Sequence, residues 1–291
     1  MKIRAGRNVI LHLLPLLVPF CALFLTGISI TVLQSFNIGF GASPGPGFFS
    51  AYQEVLDSQF FYSSVLYSLV IGLISASVSV AAGIGLALLI HNTSSALKKY
   101  TVIYKLPLIL PHITVAFIVL IIFSQSGILS SLAYNLGFID GTQGFPNIFY
   151  NKTGTGIILS YIWKETPFAA LMILSLLQKL DNRYIQTGKM LGASFFRNLR
   201  VLIFPHIAPA VHTTFIILFL YSFGAFDIPF LVGESSPRML SITVYDLYFR
   251  NQLSARPQAM AILTLMFLFS MIFITLYTRA VASLNPGARK V

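Results

Sequence analysis

Charged side chains embedded in apolar sequence are where this chain could do chemistry, and it has few of them. Only 8 of its 291 residues are Asp or Glu. Two of these, Glu165 and Asp227, lie within or at the end of strongly apolar stretches. An ionisable group at membrane depth is costly, so it is a candidate for facing a cavity or a partner. Glu165 follows Trp163 and Lys164 and precedes Pro167; Asp227 follows Phe226 and lies between Gly224 and Pro229. Neighbouring residues do not share a helix face, so Lys164 is expected to point away from Glu165. Trp163, Glu165, Phe226 and Asp227 are expected to line a solute path, with the two rings offering cation–π surfaces. The competing expectation for Glu165 is a structural pairing with a basic group of another subunit.

Other chemistries find no support. No G-x-x-x-x-G-K-[ST] run occurs, because Gly188-Lys189 is followed by Met190 and lacks a glycine five residues earlier. His12, His91, His112, His206 and His212 have no zinc-ligand spacing and are expected as interfacial anchors toward one end of the spans. No G-x-S-x-G nucleophile turn is present, and the single cysteine, Cys21, excludes an internal disulfide. The chain is expected to be no enzyme, with no cofactor or metal of its own.

The elements that must position these residues are membrane spans. The chain is 56% hydrophobic and 9% charged, against about 25% charged in an average soluble domain. Six apolar blocks, approximately Val9–Phe36, Phe60–Ile90, Thr101–Ser124, Gly156–Leu177, Ile203–Val232 and Ala259–Val281, are each long enough to cross a bilayer. Uninterrupted runs such as Ile113–Phe123 argue for helices over the alternating strands of a barrel. Glu165 then lies roughly 14 Å into the fourth span. The small residues from Ser75 to Gly85 permit close helix packing. The pairs Pro15/Pro19, Pro107/Pro111 and Pro205/Pro209 are expected in first turns, where proline loses little, the alternative being hinges where the second proline of each pair removes a helical hydrogen bond.

Charge gives an orientation. Of the 19 Lys and Arg residues, 14 fall in the two tails, at 98–105 and at 179–200, or at Arg279. Lys152, Arg238, Arg250 and Arg256 fall opposite, and Lys164 inside a span. The basic side is expected to be cytosolic, with both termini on it. Of the acidic residues only Asp181 joins that side, so the outer face is slightly negative and suited to concentrating cations. The +11 net charge is therefore a topology signal, and nucleic acid is not an expected partner.

Between the fourth and fifth spans, residues 179–204 form a basic, polar stretch unlike the rest of the chain. Tyr184, Ile185, Met190 and Leu191 recur at helical spacing, Gly192 interrupts, and Phe195, Phe196, Leu199, Leu202 and Ile203 are spaced to pack on one side of a second helix. The result is a helix–glycine–helix elbow facing the cytosol. It either contacts anionic lipid or docks a soluble motor.

Gly192-Ala193, with Pro205 and Pro209 after it, resembles the "EAA" loop of binding-protein-dependent ABC importer permeases. Pro107-Leu-Ile-Leu-Pro111, Ser126-Gly127-Ile-Leu, Asn135-Leu-Gly137, Trp163-Lys-Glu-Thr-Pro-Phe168 and the run Ser75–Gly85 are similar to the same permeases in the same order. Ser222-Phe-Gly-Ala-Phe-Asp-Ile-Pro229-Phe-Leu-Val-Gly233 resembles the spermidine/putrescine-type branch most, with iron(III), phosphonate and thiamine permeases in neighbouring branches. In place of Glu-Ala-Ala this chain has Gln186-Thr187-Gly188, and a helical glycine costs about 1 kcal/mol relative to Ala.

The resemblance implies an all-α type I ABC importer permease with six transmembrane helices, in a bacterial cytoplasmic membrane. It divides the chain into 1–58 (tail, first span, external loop), a permease core at 59–285, and a tail at 286–291. It implies a dimer of ABC ATPase subunits holding ATP and Mg, a second permease subunit and an external solute-binding protein. The missing glutamate favours a heterodimer. The coupling residues implied are Gln186, Thr187, Gly188, Lys189, Leu191, Gly192, Ala193, Ser194, Phe195, Arg197 and Pro205, and the cargo implied is a polyamine. An ion-gradient carrier or channel using Glu165 and Asp227 is the alternative of another class; it predicts inverted repeats and leaves the elbow unexplained.

Overall fold

The computed structural model describes residues 2–39, 47–93 and 98–284. Among them the chain forms helices and no strand. The α-helices are α1 (Lys2–Ser35), α2 (Ser50–Asp57), α3 (Gln59–Asn92), α4 (Leu106–Ile109), α5 (His112–Phe123), α6 (Ile128–Asn135), α7 (Thr155–Leu177), α8 (Asn182–Met190), α9 (Phe195–Asn198), α10 (Phe204–Gly224), α11 (Asp227–Val232), α12 (Leu240–Tyr245) and α13 (Arg256–Leu284). Six stretches are long and apolar enough to cross a membrane: His12–Ser35, Gln59–Asn92, His112–Asn135, Thr155–Leu177, Phe195–Gly224 and Leu253–Ser283. The expected tail at 286–291 lies outside the described residues.

The chain forms two compact units. The first takes the chain up to Phe61 together with Thr243–Ile272. Here the rings of Phe36, Phe48, Phe49 and Tyr52 cluster between α1 and α2, Phe36 stacked on Phe48 and Phe49 edge-on to both, and Tyr52 shares a 2.7 Å hydrogen bond with Ser35. Gln258 donates to Glu54, and Arg250 pairs with Asp246 at 3.3 Å.

The second unit takes Tyr62–Ile242 and the chain from Phe273 on. Its centre is α7, whose buried residues Ile157, Tyr161, Glu165, Ala169, Ile173 and Leu177 recur every four positions, with Lys164 buried next to Glu165. At one end Tyr67, Ile71, Val115, Val119, Phe149, Ile157, Tyr161, Ile228 and Met239 form a continuous apolar core. At the other, Ala87, Ile173, Leu174, Leu177, Ile203, Ile207 and Ala210 do the same. The small-residue run of α3 serves the packing expected of it on one face: a Cβ at Gly83 would lie 2.5 Å from that of Ala169. Ser75 and Ser79 share the buried face, while Ser77, Ala81 and Gly85 face outward.

The prolines correct one expectation. Pro15 and Pro19 lie well inside α1, which already runs from Lys2, so they do not sit in its first turn. Pro107 and Pro205 each take the second position of their α-helices, but helical turns run directly into both, the 3₁₀ turns of Lys98–Lys105 and the π-helical segment Leu199–Ile203. Pro111 caps α5, and Pro209 lies inside α10. A second correction concerns the third apolar block, expected as one helix. It forms 3₁₀ turns over Lys98–Lys105, then α4, then extended backbone at Leu110 and Pro111, and only then α5.

Candidate functional site

Two regions concentrate the unusual residues, and both belong to the second unit. The first is the elbow. Asp181 starts α8 by accepting a hydrogen bond from the Arg183 N–H at 2.9 Å, which satisfies a free donor of the first turn. Gly192 ends the motif with φ +78°, and the Ala193 N–H reaches back to the Gly188 carbonyl at 2.9 Å. This is the six-to-one bond of a glycine-terminated helix. A Cβ at Gly192 would meet nothing within 4 Å, so the backbone conformation alone demands glycine there. Ser194 then opens α9 by accepting from the Arg197 N–H at 3.3 Å.

Gly188 has a different reason to be glycine. A Cβ there would collide with the side-chain oxygen of buried Asn198. Its cost in helix propensity therefore buys close contact between α8 and α9. The elbow is rooted by Ile185, Leu199 and Ile203, which pack against the core of α7 and α10. His206 adds a 2.9 Å hydrogen bond to the Leu176 carbonyl in the last turn of α7.

The tip is the reverse of the root. Met190 is 88% exposed, Leu191 83% and Phe196 77%. Gln186, Thr187, Lys189, Ser194, Phe195 and Arg197 are exposed beside them, and Ala193 is half-buried. Phe195 and Phe196 were expected on the packed side with Leu199, Leu202 and Ile203. The four-residue α9 passes into a π-helical segment at Leu199–Ile203, whose wider turn changes the register. Asn198 and Ile203 take the buried side, and both phenylalanines face outward. Pro205 follows directly in the first turn of α10.

The second region lies midway along α7. Lys164 and Glu165 are 6% and 3% exposed and point to different neighbours, as adjacency on a helix requires. The Ser222 hydroxyl of α10 donates to Glu165 Oε1 at 2.6 Å. The Ser79 hydroxyl of α3 also interacts with the Glu165 carboxylate, and the buried Tyr161 hydroxyl has no hydrogen-bond partner among the described residues. The Lys164 ammonium donates to the carbonyls of Pro107, Leu108 and Leu110 at 2.6, 3.2 and 2.6 Å.

Trp163 is 37% exposed, on the other side of α7 from Glu165. Asp227 is exposed at the start of α11, three residues beyond the end of α10, and Phe226 beside it stacks on Phe230 at 4.8 Å. The four residues expected along a path thus divide: Glu165 lies inside the subunit, while Trp163 and Asp227 reach its surface. His112 corrects another expectation. Its ring lies 4.7 Å from that of Tyr221, near the end of α10 farthest from the elbow. The 3₁₀ turns, α4 and the break that precede α5 carry this histidine away from the elbow end. Ser222, Tyr161 and Tyr221 also neighbour the acidic group, a proximity that no spacing in the sequence marks for the two tyrosines. Ser222 was within sight, since it opens the segment that carries Asp227.

With this geometry in place, the similarity to known proteins is informative. The family model for the binding-protein-dependent transport system inner membrane component matches residues 79–290. The probable ABC transporter permease protein y4oQ of Sinorhizobium fredii is 24% identical over 194 residues, covering 66% of this chain and 62% of that protein, so the match spans less than two thirds of its length. The trehalose transport system permease protein SugA of Mycobacterium tuberculosis is 24% identical over 251 residues, 82% of this chain and 77% of SugA. The spermidine/putrescine transport system permease protein PotC homolog of Mycoplasma genitalium is 26% identical over 237 residues, 81% of this chain and 75% of that protein. Among solved structures, a bacterial ABC transporter involved in the import of alginate superposes with a TM-score of 0.73 at 18% identity. That match covers 96% of this chain and 97% of the other. The match from the middle of α3 to the far end of the sequence takes in both the elbow and the buried cluster of α7, and the chain belongs to the family of binding-protein-dependent transport system inner membrane components.

Proposed function

We propose that this ABC importer permease subunit is driven through its elbow by a separate ATPase dimer, which holds the ATP and Mg. It works beside a second permease subunit in a bacterial cytoplasmic membrane, with both termini and the elbow in the cytosol. The observation that carries this reading is the contrast within one short segment. The tip residues Met190, Leu191 and Phe196 are exposed apolar groups, while the root is packed into the core of α7 and α10. Exposed apolar groups on a rigid root mark a surface that a partner covers, and the root would transmit a push directly to two spans. Asp227 and Trp163 are read as path residues, with Glu165 behind them.

For the cargo, delivered by an external binding protein, a polyamine is the first reading. It is supported by the excess of carboxylates in the expected outer segments and by the similarity to the PotC homolog. A small carbohydrate is the second, favoured by the similarity to SugA. Isolating the tagged chain from its host membrane tests the core of the proposal: an ATP-binding subunit should come with it, and isolation without one contradicts it. Titrating the co-isolated external receptor with putrescine and with trehalose separates the two cargo readings.

A further inference from the structure

Lys164 does work that the transport reading does not use. Its ammonium has three N–H donors, and three carbonyls meet them: Pro107, Leu108 and Leu110. Pro107 and Leu108 lie in α4 at its C-terminal end, and Leu110 lies in the break before α5. In a continuous helix the Pro107 carbonyl would accept from the N–H four residues on, but that residue is Pro111, which has none. The next helix begins at His112 with Pro111 as its cap, so the carbonyls of Leu108 and Leu110 also lie outside its ladder. Lys164 is the tenth residue of α7, so the break lies about 14 Å along that span, deep in the membrane. Backbone groups at such depth must find partners within the protein. Among the described residues no carboxylate pairs with the ammonium, and Glu165 is turned to Ser222.

We propose that Lys164 is a positioning residue, a side-chain clamp that replaces the N–H missing at Pro111 and holds the third span in two pieces. The use of this joint in transport rests on the permease reading, but its test does not. One side chain, rather than a continuous helical ladder, decides whether α5 stays offset from α4.

A double-mutant cycle on the full-length chain tests this. Lys164→Met should lower the melting temperature of the purified chain by at least about 5 °C, having removed three charge-assisted bonds. Pro111→Ala restores the absent N–H, so in the Lys164→Met background it should recover half or more of that loss. A lysine with a general structural role would show no such coupling, and additive effects overturn the proposal. If Lys164→Met does not fold at all, folding of the double variant supports the clamp and its failure to fold overturns it. Spin labels at Val102 and Ile121, in a Cys21→Ser chain in bilayers, give the second readout. Lys164→Arg, which keeps donors, should hold the wild-type distance. The double variant should move toward the roughly 28 Å of an unbroken helix of that length. An unchanged distance in the double variant contradicts the proposal whatever the protein transports.

Discussion

Ser222 and Glu165 tie α10 to α7 through one short hydrogen bond in an apolar interior. Removing the acceptor leaves a buried hydroxyl unpaired, which costs about 1–3 kcal/mol. Glu165→Ala is therefore expected to lower the melting temperature of the purified chain, while Glu165→Gln, which keeps an acceptor oxygen, should lose much less. Equal losses would show that the carboxylate's charge, not this bond, matters for stability. At this scale the sequence said a good deal: the divergence of Lys164 from Glu165 follows from the helical repeat alone. The partners of Lys164 were not legible, because main-chain carbonyls leave no mark in a sequence until the break that frees them is known. His112 was misplaced for the same reason.

The elements show which local rules a neighbour can overrule. Gly192 was read correctly as a helix stop, since a residue with φ +78° and open space around it answers only to its own backbone. Gly192→Ala should therefore destabilise the elbow by about 1–2 kcal/mol, seen as faster amide exchange in α8. Gly188 looked like a weak point in α8, yet it faces Asn198. Gly188→Ala should reduce the ATPase recovered with the permease, despite alanine's better helix propensity; unchanged recovery would return Gly188 to a matter of propensity alone. Gly83→Leu, against Ala169, should prevent α3 and α7 from packing and abolish recovery of folded chain. The register of Phe195 and Phe196 escaped the sequence reading because a π-helical turn has no reliable pattern of its own.

For the molecule as a whole, apolar length was enough to find six spans, since a bilayer sets a fixed distance that hydrophobic runs must cover. Apolar length could not show where the third block breaks, because Leu106–Phe123 is equally apolar on both sides of Pro111. The account as a whole rests on force entering at the exposed tip of the elbow. The most direct measurement places single cysteines at Met190 and Ala193 in a Cys21→Ser chain and cross-links them in intact cells with a short thiol- and amine-reactive reagent. Capture of an ATP-binding protein at these positions, and not from a control cysteine at exposed Leu23 in the first span, is the predicted result. Capture of no such protein from either elbow position would contradict the account.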